Sequence, residues 1–333
     1  MIRMNKNESP IKPLNDETLM NLIKNCDYHL YPDTDYDRFR QAYANYYGQQ
    51  FSSQQLCCGN GSDELIQKLM LIMPEGPCLT LNPDFFMYQD YARQVKRQIR
   101  FVDASPDLTF SLETILGRID EVQPRFFILS NPHNPTGHRF TENELITIAK
   151  QMKTIEGYLI IDEAYVDFST PLQIELEDHI LIIRTLSKAF AMAGLRLGVL
   201  ISTEKTISTI RQIEHPYPLS AFTLSIGIYL FEHMEQTKVF VQYQRQLSQR
   251  LKEIMMKYAS SHMHIFPSDT NFVLTSGSQA LSLGHYVKAR GFLPRFYHSK
   301  DEKMLAECVR YSIIDYPQLN QFEQVVKEWS EQQ

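Results

Sequence analysis

The chain has 333 residues, 43% hydrophobic and 22% charged, with a formal net charge of −6. That composition can bury a large core. The acidic balance excludes broad affinity for nucleic acid or anionic membranes, so any anion site has to be a local cluster of cations. Five cysteines, Cys26, Cys57, Cys58, Cys78 and Cys308, follow no zinc spacing, and their odd number suits reduced thiols in a cytoplasmic protein. Residues 1–10 lack the apolar core of a signal peptide, and no apolar run approaches the roughly 18 residues a membrane span needs. The expectation is a soluble, cytoplasmic protein.

In chain order, residues 39–47 read as a helix. Gly59-Asn60-Gly61 reads as a turn. A helix starts at Ser62-Asp63-Glu64, continues with Leu65, Ile66, Leu69, Met70 and Met73 at helical spacing, and ends at Pro74-Glu75-Gly76. Short apolar runs follow at 78–81, 125–130, 158–161, 180–185 and 197–201. They are rich in Leu and β-branched residues without strict alternation, as in strands covered on both faces of a mostly parallel sheet. Between them, residues 141–152 read as a helix with Thr141 as N-cap and Glu144 completing a capping box.

From 220 to about 259 the helical pattern is nearly continuous, with a break expected near Glu235-Gln236-Thr237. A strand at 271–275, a helix near 280–290, a strand carrying Arg310 and a last helix near 319–329 complete the chain. The expected fold class is α/β. A large domain with a mostly parallel central sheet spans residues 31–230. A smaller α+β domain combines residues 231–333 with an N-terminal arm, 1–30.

The chemistry concentrates after the apolar runs. Lys188 follows the run 180–185 and so projects at a strand's C-terminal edge, where ligands bind in open α/β sheets. A lysine that attacks an aldehyde acts as the free amine, which burial or cationic neighbours favour. Asp162 closes the run 158–161, where a carboxylate could pair with a protonated ring nitrogen; Tyr165 lies three residues on. Asn134 sits between two prolines in Asn131-Pro-His-Asn-Pro-Thr-Gly137, a rigid loop able to aim one amide.

Gly61, Ser62 and Asp63 open a helix, whose free N–H groups and dipole favour an anion. Thr185, Ser187 and Arg196 would add hydroxyls and a guanidinium. A carboxylate, a phenol, an amide, a lysine and an arginine at these places are what pyridoxal 5′-phosphate asks of a protein. Phe85, after Pro83-Asp84, could stack on its ring, although an aromatic cluster of Phe85, Phe86, Tyr88 and Tyr91 reads first as core. Arg295 and Arg310 could converge on a substrate phosphate or carboxylate. His262 and His264 have no third partner, and no metal is expected.

These segments resemble the fold-type-I aminotransferases, and the histidinol-phosphate aminotransferase branch most closely. The resemblance runs from Asn7-Glu-Ser-Pro10 through Tyr31-Pro32 and Gly59-Asn-Gly-Ser-Asp-Glu64 to the segment around Lys188. It implies that Lys188 carries the cofactor, Asp162 meets the ring nitrogen, and Asn134 and Tyr165 meet the 3′-oxygen. Arg295 and Arg310 would hold the substrate phosphate. Tyr31 would reach the cofactor phosphate of a partner subunit, which makes a homodimer with shared active sites.

The implied reaction converts L-histidinol phosphate and 2-oxoglutarate to imidazole acetol phosphate and L-glutamate. Aromatic amino-acid aminotransferase and threonine-phosphate decarboxylase activities are the alternatives. The sequence departs from the family in Arg310-Tyr-Ser-Ile-Ile314, which lacks the glycine usual after that arginine, and in Ser9, where asparagine is usual. Both departures bear on the substrate pocket.

Overall fold

The computed structural model describes residues 1–171, 173–297 and 300–333. Among these described residues twelve strands form two sheets. They are β1 Ile2–Met4, β2 Leu56–Asn60, β3 Cys78–Asn82, β4 Ile99–Asp103, β5 Phe126–Ser130, β6 Tyr158–Asp162, β7 Ile180–Thr185, β8 Leu197–Ile201, β9 His264–Ile265, β10 Phe272–Ser276, β11 Phe292–Phe296 and β12 Cys308–Ser312. The larger sheet has the order β2-β8-β7-β6-β5-β3-β4, and β8 alone runs antiparallel to its neighbours. The smaller sheet has the order β1-β11-β12-β10-β9. Its first strand comes from the extreme N-terminus and pairs with β11 in parallel.

The five apolar runs are strands of the larger sheet, displaced by no more than a residue at either end. β5, β7 and β8 are buried along their whole lengths because helices cover both faces. Thr141 caps the helix Glu142–Thr154 with a complete capping box, Glu144 reaching back to the Thr141 N–H.

Two expectations differ from the structure. Gly59 and Asn60 are not a turn: they finish β2, and the helix Gly61–Ile72 begins at once. Their partners across the sheet are Gly198 and Leu197, and tertiary pairing overrides the turn propensity. The second difference is the break in the long helical stretch. It falls at His233, between the helices Ala221–Glu232 and Met234–Ala259, rather than at 235–237. Thr237 stays helical and donates its hydroxyl to the Leu230 carbonyl, 2.6 Å, filling an acceptor that the break leaves open.

Behind the larger sheet lies a buried ionic cluster. Arg184 Nε donates to Glu163 Oε2 at 2.8 Å, its guanidinium lies 4.6 Å from the Tyr47 ring centroid, and Tyr47 donates to Asp167 Oδ1 at 2.8 Å. Burial raises both the Glu163 and Asp167 carboxyls above their ordinary values, against the pull of Arg184. Arg184→Leu strands two carboxylates in an apolar layer and is expected to cost about 3–5 kcal/mol of stability. Urea unfolding checks this; a loss under about 1 kcal/mol, as for an exposed pair, would contradict it.

Candidate active site

Parallel pairing sets the site. Ser130, the last residue of β5, stands opposite Asp162, the last of β6, and Asp162 stands opposite Ile183 of β7. The loops after β3, β5, β6 and β7 therefore open at one edge, together with the start of the helix Gly61–Ile72 and the residue preceding antiparallel β8. These bring Phe85, Asn134, Asp162, Tyr165, Thr185, Ser187, Lys188, Ser62, Asp63 and Arg196 around one cavity of about 440 Å³.

Asp162 is buried at the floor. Its Oδ2 accepts from the Tyr88 hydroxyl at 2.8 Å and its Oδ1 from the Ala164 N–H at 3.1 Å. Burial raises its carboxyl to about 6, against the lowering effect of those two donors. Lys188 Nζ stands 5.8 Å from the Tyr165 ring centroid. The Asn134 N–H donates to Ser130 Oγ at 2.9 Å, and Asn134 Oδ1 accepts from Arg310 Nη1 at 2.6 Å.

At the opposite wall, Arg196 Nη2 meets Asp63 Oδ2 at 2.8 Å, and its Nη1 meets Ser187 Oγ at 3.3 Å. The Asp63 carboxylate is thus committed to Arg196, and what Asp63 offers an anion is its backbone N–H. Gly61 has φ +75°, and a Cβ there would fall 2.3 Å from Arg196 Nη2; a Cβ on Gly198 would fall 2.4 Å from the Gly61 carbonyl carbon. Only glycine at both places lets the helix start pack this tightly against β8 and Arg196.

A second cavity, of about 570 Å³, shares Lys6, Phe85, Asn134, Tyr165 and Lys188 with the first and adds Arg295 and Arg310. The two arginines are Cα partners on β11 and β12. Directly opposite residues share a sheet face, with Cβ atoms roughly 5 Å apart. Arg310 is buried, and its guanidinium carbon lies 5.0 Å from the Phe272 ring centroid. Tyr31 is not brought to either cavity: it is 75% exposed and stacks on Tyr217 at 4.6 Å.

Three residues at this edge carried no functional reading in sequence. Tyr88 reads as core, and its hydrogen bond to Asp162 has no local signal. Asp84 is buried and accepts from the Ser130 N–H at 3.1 Å, and burial raises its carboxyl to about 7. Asn7 donates through Nδ2 to Tyr165 Oη at 2.8 Å; its motif was visible but not its target. Among the described residues no group of His, Cys, Asp and Glu could hold a metal, no cysteine is paired, and no helix is long and apolar enough to cross a membrane.

The residues fit pyridoxal phosphate. A buried carboxylate held at about 6 calls for a cation at its free face, as a protonated pyridine nitrogen supplies. A helix start crowded by Arg196, with two hydroxyls nearby, suits a phosphate.

Residues 2–309 match the family model described as aminotransferase class I and II. The histidinol-phosphate aminotransferase of Clostridium novyi is 29% identical, over 91% of this chain and 85% of that protein. That of Pyrococcus furiosus is 30% identical, over 88% and 83%. Among solved structures, the histidinol-phosphate aminotransferase of Sinorhizobium meliloti in complex with pyridoxal-5′-phosphate has a TM-score of 0.83 at 22% identity, covering 99% of this chain and 91% of that one. The L-threonine-O-3-phosphate decarboxylase of Porphyromonas gingivalis reaches 0.79 at 18% identity, covering 99% and 100%; at these identities the likeness speaks for the fold.

The Asp162 carboxyl, raised when folded, makes stability depend on pH. Below its ordinary value near ~4 both states hold the proton and its contribution is fully present. As pH rises through about 6, the unfolded chain releases the proton first and that contribution is lost. Cofactor-free Asp162→Asn should therefore gain on the wild type between pH 4 and 6 and hold the gain above. Urea unfolding across that range tests it, and a difference that does not change with pH would rule it out.

Proposed function

This chain belongs to the class I and II aminotransferase family and is a pyridoxal-phosphate-dependent transaminase, and we propose that its amino donor is L-histidinol phosphate and its acceptor 2-oxoglutarate. The observation that carries this reading is the Arg295–Arg310 pair, adjacent on one sheet face and lining a cavity shared with Lys188. Two guanidiniums on one sheet face, with Lys6 lining the same cavity, suit a phosphate dianion. The names of the curated relatives support the same substrate.

When bound, pyridoxal phosphate supplies an aldehyde for amine exchange and a protonated ring that withdraws electrons from the donor carbon. In this reading Lys188 Nζ would hold the cofactor and, as the free amine, would move the proton from the donor carbon. Asp162 keeps the ring nitrogen protonated. Tyr165 and Asn134 hydrogen-bond the ring 3′-oxygen, and Phe85 covers a ring face. Gly61, Ser62, Asp63, Thr185, Ser187 and Arg196 hold the phosphate.

Arg310 reaches the cofactor side as well, through Asn134. Anchoring the donor phosphate on β11 and β12 leaves its amine facing Lys188 and fixes the reacting atoms before chemistry.

The holoenzyme mixed with histidinol phosphate at single turnover should lose its Lys188-dependent absorbance band, fast for this donor and slowly for phenylalanine. Lys188→Ala should have no such band. Arg295→Ala and Arg310→Ala should each raise the donor concentration needed by about tenfold or more while retaining the cofactor. Preference for phenylalanine would favour the aromatic alternative, and carbon dioxide released from threonine phosphate the decarboxylase.

The assembly in this reading is a homodimer with shared sites. Tyr28, Leu30, Tyr31 and Ile213 are large and exposed, at 70, 60, 75 and 50%, and Tyr31 lines neither of the two cavities described above. A second copy would cover this surface and receive Tyr31 near its phosphate site. Mixing Tyr31→Ala with Lys188→Ala subunits then rebuilds one intact site per hybrid dimer. Activity appearing only in the mixture is the expected result; none would place Tyr31 outside the site.

A further inference from the structure

We propose that Asn7 is a positioning residue that sets the direction of the Tyr165 hydroxyl, so that Tyr165 donates its proton into the cofactor cavity. The inference rests on the cofactor reading above and adds a residue that acts through Tyr165. Asn7 is buried and has φ +55°, a left-handed conformation that asparagine adopts more readily than other non-glycine residues. The turn aims its side chain inward, between the two sheets.

Every polar group of Asn7 has a partner. Its N–H donates to Ser312 Oγ at 3.1 Å. Ser312 Oγ, which accepts there, passes its own proton to Asn7 Oδ1 at 2.6 Å. The short distance is that of an O–H···O bond. Asn271 Nδ2 donates to the Asn7 carbonyl at 3.1 Å. With Oδ1 filled by Ser312, the amide turns Nδ2 to Tyr165 Oη, at 2.8 Å.

An amide nitrogen only donates, so Tyr165 Oη accepts from Asn7, and its single proton remains for another acceptor. Tyr165 lines both cavities. In the cofactor reading, the 3′-oxygen would be that acceptor.

Ser312 and Asn271 therefore fix Asn7, and Asn7 fixes the sense of one hydrogen bond in the site. The charged groups around Tyr165 come from other elements. Lys188 stands over its ring, Lys6, Glu8, Asp63, Asp162 and Arg196 line the same cavity, and Arg310 stands over Phe272, the ring that packs edge-on against Tyr165. None of them changes in the variants below.

A hydroxyl that donates to the 3′-oxygen favours its anionic form and holds down the pH midpoint of the Lys188-dependent band. Asn7→Asp keeps the shape and the left-handed backbone but can only accept. Tyr165 must then turn its proton to residue 7. Spectral titration of the holoenzyme should show the midpoint rising by about one pH unit or more. The new carboxylate also raises it by its charge, so the same substitution is made in Tyr165→Phe, where only the charge acts.

A larger rise with Tyr165 present than in the Tyr165→Phe background, which has no hydroxyl to turn, is the expected result. Equal rises in the two backgrounds would overturn the proposal. Ser312→Ala, which frees the amide without adding charge, should raise the midpoint with Tyr165 and leave it unmoved in Tyr165→Phe; this arm decides the matter should Asn7→Asp fail to fold. A wild type lacking any Lys188-dependent band would instead remove the cofactor reading and the inference with it.

Discussion

A carboxylate at the end of an apolar strand is the constraint around which this molecule is arranged. β6 delivers Asp162 to the floor of the cavity, where it is almost wholly buried and two hydrogen bonds do not restore what water gave. Leaving an ionised group there is unfavourable, and the group holds its proton to about pH 6 as a result. The rest of the edge is a response to that. Tyr88 shields one oxygen, the β5 and β7 loops bring an amide and an amine to the same depth, and the helix after β2 turns its positive end toward the opposite wall. A ligand with a cation at one end and a phosphate at the other satisfies both ends at once.

The second sheet is tied to this edge by polar contacts rather than by a continuous core alone. Arg310 holds Asn134, and Ser312 with Asn271 holds Asn7, which holds Tyr165. In both cases a residue of β12 donates to the oxygen of an amide, and for Asn7 the nitrogen is thereby turned to Tyr165. The departure noted after Arg310, where Tyr311 and Ser312 precede two isoleucines, thus includes a serine with a definite task.

The larger sheet was legible because its strands are buried on both faces, and such strands are near-continuous apolar runs. β2 was not, since Gly59 and Asn60 carry turn propensity and are made strand only by pairing with β8. β4 was not either: it is an edge strand, only partly buried, and its alternating Ile-Arg-Phe-Val-Asp is too short to stand out. Lys188, Asp162 and Asn134 could be picked out because each closes or closely follows an apolar run, and a strand's end is where a side chain reaches a cleft. Tyr88 and Asp84 could not, because what distinguishes them is a partner more than forty positions away. The adjacency of Arg295 and Arg310 was likewise hidden, since the register between β11 and β12 depends on the core face both must share.

The dependence of both amides on β12 bears on how such a protein can be recombined. The strand that presents Arg310 to the donor also orients the groups that face the cofactor. Donor preference and cofactor electronics are therefore not separate modules. A chimera that borrows β11 and β12 from a relative to obtain a new donor would import that relative's settings for Asn134 and Tyr165. It would keep its chemistry only if residues 7 and 134 came with the strand.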